Sequence, residues 1–192
     1  MPLPVRIVAQ LTLPSPSTRY DYADVDPAAH RLFLAQLGAS RLLEIDIASR
    51  QVVRITTGLA GVHGVIVVPS MHRVFVTATG ANQLVALDET SGAVLFRTAT
   101  GNYPDGLVYV SSTGQLWISN ESGGSESVID AATGHLVGTV ELGGEAGNVR
   151  YDPPTTGSSS TCRPTTSSPS STRTPGAPSR ERRCPAAITT MG

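Results

Sequence analysis

Three residues that can donate to a metal ion recur at one spacing in this chain of 192 residues. Asp21, His63 and Asp105 follow one another at intervals of 42 residues. Carboxylate oxygens and imidazole nitrogens are common protein ligands of divalent cations, and a bound cation can polarise a carbonyl group and activate water. The spacing therefore points to a metal site, provided that the fold brings the three positions together.

The sequence carries no signature of several other chemistries. It has no GxSxG motif, no phosphate-binding loop and no Ser/His/Asp order of the known triads. Cys162 and Cys184 both lie after Pro153, so the residues before it have neither a disulfide framework nor a cysteine metal site. Metal or ligand binding by carboxylates and histidine is what remains to be examined.

The distribution of charged and apolar residues argues against some partners and some cellular locations. The residues up to Pro153 carry nine Arg against fourteen acids, without clustered positive charge, so we expect no nucleic-acid partner. The N-terminus lacks a long apolar run preceded by basic residues, so we expect neither a signal peptide nor a membrane span. We expect a cytoplasmic location by default, with export left open.

A repeat of 42 residues organises the chain as far as Pro153. Within the second block, "GVIVV", "RVFVTAT", "QLVALD" and "AVLFRT" read as four short strands separated by turns. Four strands in a period of about 40 residues are typical of a propeller blade. The period is marked by Pro27, Pro69 and Pro153, by Gly38 and Gly80, and by Asp46, Asp88 and Asp130.

We therefore predict an all-β, incomplete β-propeller. It comprises about three four-stranded antiparallel blades and the first strand of a fourth, with a lead-in strand before them and a disordered tail after them. The repeats span 19–153. The predicted segments are the lead-in strand at 1–18, blades at about 20–61, 62–103 and 104–145, the start of a fourth blade at 146–153, and the tail at 154–192.

The composition of the tail has two interpretations. Between Tyr151 and Ile188 there is no Val, Ile, Leu, Phe, Trp or Tyr, so this segment cannot bury enough apolar surface to order itself. Read in another frame, its codons permit a segment resembling the "QLVALDE" strand, and we expect a frameshift near Pro154 that truncates the propeller. The alternative is a genuine Ser/Thr/Pro-rich linker.

The repeat resembles the YVTN-type β-propeller proteins, within a superfamily that includes WD40-like and lactonase-like propellers. The tetrapeptide position reads "LFLAQ", "VFVTA" and "LWISN", and the strand-turn-strand units read "VALDETSGAV" and "VIDAATGHLV". "YPDGLVYV" is similar to the start of the inner strand in gluconolactonase-like propellers. The resemblance covers roughly residues 19 to 153 and specifies the fold better than the chemistry.

The resemblance also implies where the polar residues lie. In such propellers, the loop before each innermost strand and the loop after each second strand share one face around a central channel. His63 and Asp105 are the best candidates for metal ligands, although polar residues at a channel mouth can also serve to hydrate it. The candidate ligand-binding residues are Asp21, His63, Tyr103, Asp105, Asn120, Glu121, Glu145 and Asn148.

Two classes of function follow as expectations. The favoured one is a non-catalytic propeller scaffold that binds a small ligand or a protein, needs no cofactor, and has neither nucleic-acid nor membrane partners. The alternative is a metal-dependent, lactonase-like hydrolase whose site lies at the channel mouth of the intact parent and holds a divalent metal. No residue is assigned a catalytic role, and an enzyme is the less favoured interpretation.

Overall fold

A computed structural model describes residues 6–7, 9–14, 19–152 and 157–163. Three four-stranded antiparallel sheets follow one another along the chain, and in each sheet the strands are hydrogen-bonded in sequence order. The predicted propeller blades are therefore confirmed. Their strands are β1 Ala23–Asp26, β2 Arg31–Gln36, β3 Arg41–Asp46 and β4 Gln51–Thr56; β5 Val62–Val68, β6 Arg73–Ala78, β7 Gln83–Asp88 and β8 Val94–Ala99; and β9 Pro104–Val110, β10 Gln115–Asn120, β11 Ser125–Asp130 and β12 Leu136–Glu141.

Single turns of 3-10 helix connect some strands of the first two blades. They lie between strands two and three of both blades and between strands one and two of the second blade. Each ends on a residue with a left-handed backbone, and the backbone N–H of that residue bonds the carbonyl three residues earlier. These caps close the connections without a longer loop. The 3-10 turns are Leu37–Ala39, Pro69–Met71 and Thr79–Ala81.

The turn between strands three and four repeats with the period of the sequence. Asp88 Oδ1 accepts hydrogen bonds from the backbone N–H and the hydroxyl of Ser91, both at 2.7 Å. These bonds hold the pKa of the Asp88 carboxyl below its usual range. Asp46 with Ser49, and Asp130 with Thr133, form the same arrangement. The recurring aspartates are therefore turn-forming residues.

Apolar side chains fill the spaces between consecutive blades. One cluster joins the first blade to the second, and another joins the second to the third. The innermost strands β1, β5 and β9 contact one another in order, and β9 contacts the next inner strand, β13 Glu145–Asp152. Packing of this kind holds the beginnings of the inner strands together at one end, which we call the channel mouth. The largest fully buried apolar side chains are Phe75, Leu43, Leu59, Leu84, Leu87, Leu116, Ile118 and Ile129.

A charged cluster lies between the first two blades at the end away from the channel mouth. The buried carboxyl groups of Asp26 and Glu89 are hydrogen-bonded to each other. Glu44 pairs with Arg31 at 3.1 Å and with Arg54 at 2.9 Å, and Arg54 Nη1 also donates to the carbonyl of Glu89. Burial, together with the hydrogen bond to Asp26 and the charge of Asp26, raises the pKa of Glu89 to about 7. Charged groups therefore link the first blade to the second.

The described parts of the predicted lead-in strand, 6–7 and 9–14, form no strand. Residues 10–14 lie across a groove of about 820 Å³ from Ser49–Ile55 of the first blade's outer strand. Arg41 Nη2 donates to the carbonyl oxygen of Pro14 at 2.7 Å and holds the segment there. The remaining residues of the predicted lead-in lie outside the described part of the chain.

The tail differs from the prediction over seven residues. Gly157–Arg163 forms strand β14, which pairs antiparallel with β13. The free edge of β13 offers backbone N–H and C=O groups, and pairing with another strand satisfies them whatever the side chains are. The other residues of the predicted tail, 154–156 and 164–192, lie outside the described residues. The predicted frameshift stays a prediction.

In the part of the chain that the structure describes, no helix has the length and apolar character needed to span a membrane.

Candidate functional site at the channel mouth

An irregularity at the beginning of the inner strands repeats every 42 residues. In β5, His63 and Gly64 together face one residue of β6, because the pairing shifts between Val62 and Val65. The pairing of β9 shifts in the same way across Asp105 and Gly106, and that of β13 across residues 147 and 148. Two residues opposite one is the pattern of a β-bulge, which redirects side chains away from the regular ladder. The bulges therefore place one pair of residues per blade at the channel mouth.

The first blade follows the same pattern just before β1. The backbone N–H of Asp21 bonds the carbonyl of Ala35, and the N–H of Ala35 bonds the carbonyl of Tyr22. Asp21 and Tyr22 thus face one residue of β2. The first residue of the pair is Asp21 in the first blade, His63 in the second and Asp105 in the third. Their constant spacing follows because the bulge recurs at the same point of each blade.

The first positions of three bulges bring metal-donor atoms together. One donor atom from each of Asp21, His63 and Asp105 lies within 4.8 Å of the other two. His63 Nε2 is 3.9 Å from Asp21 Oδ2. His63 is buried, whereas the two aspartates are half-buried. The sequence predicted this gathering from the repeat, and the structure places the three side chains accordingly.

The ring of His63 is held by two neighbours. Its Nδ1 lies 2.8 Å from the carbonyl oxygen of Gly61, so Nδ1 carries the proton and donates to that oxygen. In the neutral ring, Nε2 then has the lone pair, and the Tyr103 hydroxyl approaches this atom to 3.4 Å. The Tyr103 ring meets the imidazole edge-on, with centroids 5.4 Å apart. Metal-binding histidines usually donate a hydrogen bond from their other ring nitrogen, as Nδ1 does here.

Two residues at the second positions of the bulges form a hydrogen bond that was not predicted from the sequence. The Tyr22 hydroxyl donates a hydrogen bond to Asn148 Oδ1, joining the first blade to β13. Between them lies Gly106, where an added Cβ would come within 3.1 Å of Asn148 Oδ1 and 3.4 Å of the Tyr22 hydroxyl. Asn148 was among the predicted ligand-binding residues, and Tyr22 was missed. The signal was the same period: Tyr22, Gly64, Gly106 and Asn148 are equivalent positions.

The electrostatic environment of the channel mouth is acidic. Partial burial raises the pKa of Tyr22 to about 12, and the negative charges of Asp105, Asp21 and Glu121 act in the same direction. The Tyr22 hydroxyl therefore remains a neutral donor at physiological pH. Arg19 pairs with Asp21 at 3.1 Å, but its own side chain is largely exposed. A cation suits this site better than an anion does.

The other predicted site residues occupy different places. The backbone N–H of Glu121 bonds the carbonyl of Tyr103 at 2.8 Å, which ties the loop after β10 to the channel mouth. Glu145 is the half-buried first residue of β13, in register with Arg163. Neither acid supplies one of the three donor atoms of the cluster of Asp21, His63 and Asp105.

Asn120 does not join the cluster. Its side chain is fully buried, and its Nδ2 donates to Ser125 at 3.1 Å and to Ser127 at 2.9 Å. It packs so closely on Gly101 that an added Cβ there would lie 2.6 Å from Asn120 Nδ2. The expectation that Asn120 faces the channel mouth is therefore not met, because it serves as a buried link within the third blade.

The three donors fit a divalent cation in chemistry and in charge. Two carboxylates offset the charge of the ion, and a neutral imidazole adds a nitrogen ligand. Ligands about 2.1 Å from an ion at tetrahedral angles lie about 3.4 Å apart. The donor atoms, which lie within 4.8 Å of one another, would therefore have to move closer together around an ion. Asp21, His63 and Asp105 are the residues that could hold the metal.

No family profile matches the chain, and no curated protein matches it. The architecture, in contrast, has many counterparts among solved structures, and β-propeller proteins are among them.

Three of these structures illustrate the range of the fold. Kuenenia stuttgartiensis hydrazine synthase matches with a TM-score of 0.71 at 12% identity, over 82% of this chain and 47% of that one. A structure of the mitotic checkpoint complex matches with a TM-score of 0.61 at 17% identity, over 69% and 42%. A streptogramin B lyase matches with a TM-score of 0.58 at 19% identity, over 71% and 45%. The chain thus spans about half the length of these propellers, and identities this low establish the fold alone.

Proposed function

We propose that this chain forms part of a β-propeller that binds a divalent cation at its channel mouth and acts as a binding scaffold for a small ligand or a protein. The observation that carries the proposal is the convergence of Asp21, His63 and Asp105, whose donor atoms lie within 4.8 Å of one another. The proton on His63 Nδ1 supports it, because Nε2 is left as the ligand atom.

The charges at the channel mouth limit the ligand that such a site would accept. Asp21 and Asp105 lie at the centre, and Glu121 is close enough to act on the Tyr22 hydroxyl. A phosphorylated or otherwise strongly anionic ligand would be repelled unless it were neutralised. With a cation bound, we expect ligands that are neutral and rich in oxygen, or protein surfaces that are not acidic.

The three donor residues have fixed positions in the fold, as a binding site requires. They are attached to inner strands whose bulges are held by neighbouring blades. Among the matched propellers, the hydrazine synthase and the streptogramin B lyase are enzymes by name, and another structure is the mitotic checkpoint complex. The fold therefore does not select between the two roles.

Metal-dependent hydrolysis of a lactone or ester remains the second candidate. One observation favours it: three protein donors leave coordination positions for water and a substrate carbonyl oxygen, as in catalytic rather than structural zinc sites. The residues that would hold the metal are the same three. Their role would be to bind the ion.

Titration of the full chain with Mn²⁺, followed by the loss of the free-ion signal in electron paramagnetic resonance, tests the proposal. We expect about one ion per chain in the wild type, and at least tenfold weaker binding in His63→Ala and Asp105→Asn. His135→Ala and Glu141→Gln are matched controls, since both residues are exposed and neither supplies a donor atom to the cluster. Equal binding by all five proteins would contradict the proposal.

Activity separates the two candidates. Hydrolysis of a γ-lactone by Mn²⁺-loaded wild type, lost in Asp105→Asn and in a chelated sample, would establish the enzyme. Stoichiometric Mn²⁺ binding with no turnover of lactones or esters would favour the scaffold.

A further inference from the structure

Thr77 lies opposite the bulge that carries His63 and makes two hydrogen bonds with one hydroxyl group. Its Oγ1 accepts a bond from the backbone N–H of Gly64 at 2.7 Å and donates to the carbonyl oxygen of Asp105 at 2.8 Å. The side chain is fully buried. One hydroxyl thus joins the residue after His63 to the backbone of Asp105 in the next blade.

The bulge in β5 creates the need for this hydroxyl. Val62 pairs with Ala78 and Val65 with Val76, so Gly64 lies where the regular ladder is interrupted. A buried N–H without a partner destabilises the fold, and Thr77 supplies the acceptor from the strand opposite. The bulge and the threonine therefore form one structural unit.

The same unit sets the distance between β5 and β9. An added Cβ on Gly64 would lie 2.4 Å from the carbonyl oxygen of Asp105 and 3.0 Å from Thr77 Oγ1. The backbone beside His63 and that of Asp105 thus approach as closely as a glycine permits. The Thr77 hydroxyl bonds both sides of this contact.

The equivalent positions in the other blades do not repeat the arrangement. One period earlier the residue is Ala35, which has no hydroxyl. One period later it is Ser119, whose hydroxyl donates to Glu126 Oε1 at 3.1 Å. Blade construction alone therefore does not require a threonine here.

We infer that Thr77 is a positioning residue of the cation site, which fixes the separation of His63 and Asp105 through its hydroxyl. This inference rests on the proposed function, because it concerns the same three ligands. Removal of the hydroxyl leaves the two ligand-bearing backbones free to shift, and ligand geometry errors of under an ångström weaken metal binding.

The chain offers a closely matched control on the same pair of blades. Thr98 Oγ1 donates to the carbonyl oxygen of Gly134 at 2.6 Å, which also links the second blade to the third. Gly134 lies in the turn between β11 and β12, at the end away from the channel mouth. Thr98→Val therefore removes the same kind of bond from the same interface without touching the ligands.

The experiment measures the dissociation constant for Mn²⁺ by electron paramagnetic resonance in full-length wild type, Thr77→Val, Thr77→Ser and Thr98→Val. Thermal denaturation of each protein is measured in parallel. We expect Thr77→Val to weaken binding at least tenfold, and Thr77→Ser and Thr98→Val to change it less than threefold. We expect both valine variants to lose thermal stability, and only Thr77→Val to lose affinity for Mn²⁺.

The outcomes that overturn the inference are distinct. Wild-type affinity in Thr77→Val, or equal losses in Thr77→Val and Thr98→Val, would overturn it while leaving the cation site intact. A wild type that binds no Mn²⁺ would overturn the proposed function and this inference together. If Thr77→Val does not fold, Thr77→Ala against Thr77→Ser gives the same comparison.

Discussion

The Tyr22 hydroxyl donates a hydrogen bond to Asn148 Oδ1, although 126 residues separate the two along the chain. That separation is three periods of the repeat, so the bond connects equivalent positions of the first blade and the start of the fourth. Gly64 and Gly106 occupy the two intervening positions. Gly106 leaves the space in which the phenol and the amide meet.

Tyr22→Phe removes this bond and leaves the ring in place. Because Asn148 is exposed to water, which can take over its lost bond, we expect the free energy of unfolding to fall by about 1 kcal/mol. Urea denaturation measures the change, and Tyr109→Phe is a control outside the channel mouth. Loss of stability equal to that of the control would contradict a role for the bond.

The titration of the Tyr22 hydroxyl provides a second test of its environment. Its pKa is raised to about 12 from 10.0, mainly by burial. A raised pKa means that the folded state holds the proton more tightly, so this stabilisation is complete below pH 10 and is lost as the pH rises through 12. Absorbance at 295 nm should show one tyrosine that titrates late in the wild type and is missing in Tyr22→Phe.

Glu89 should make stability depend on pH near neutrality. Its pKa is raised to about 7 from 4.5 by burial and by Asp26, so its contribution is complete below pH 4.5 and is lost as the pH rises through 7. The pKa of Asp26 is lowered, chiefly by the N–H of Ala29, so its own contribution is lost in acid, as the pH falls below 3.8. Glu89→Gln should flatten the decline in unfolding free energy between pH 5 and 8.

Urea denaturation at several pH values checks this expectation, with Glu141→Gln as the control because Glu141 is exposed. The groups that face Glu89 are Asp26 from β1, Glu44 from β3, Asp88 from β7 and Arg54 from β4. A wild-type profile parallel to that of Glu89→Gln would show that Glu89 does not titrate in this range.

Gly64→Ala should be poorly tolerated. Its Cβ would lie 2.4 Å from the carbonyl oxygen of Asp105, which is backbone and cannot turn aside. Overpacking of this kind costs about 1–3 kcal/mol. Gly138→Ala, where an added Cβ meets nothing within 4 Å, is the matched control and should leave the melting temperature nearly unchanged.

The sequence was sufficient for the blades and for the cluster of donors. Alternating apolar residues and a fixed period predict the strands, and the resemblance to β-propellers implies that equivalent positions such as Asp21, His63 and Asp105 converge on one face. Asn120 could not be placed in this way, because its burial depends on contacts with Gly101, Ser125 and Ser127. A loop position next to a strand end does not say on which side of the sheet a side chain lies.

Other features depended on backbone detail that a pattern of residue types does not contain. The bulges shift pairing by one residue, and only this shift explains why Thr77 meets both Gly64 and Asp105. Strand β14 likewise has few apolar residues, and it forms by backbone pairing with β13. Its side chains gave no signal for a strand.

The repeated bulge makes the donor set of this propeller modular. Three of the four bulges present a candidate donor side chain to the channel mouth, so an exchange at one of these positions alters the proposed donor set while the strands stay the same. The fourth such position is occupied by Gly147 and contributes no side chain. The chemistry of the channel mouth can therefore be changed one blade at a time, by evolution or by an engineer, on an unchanged scaffold.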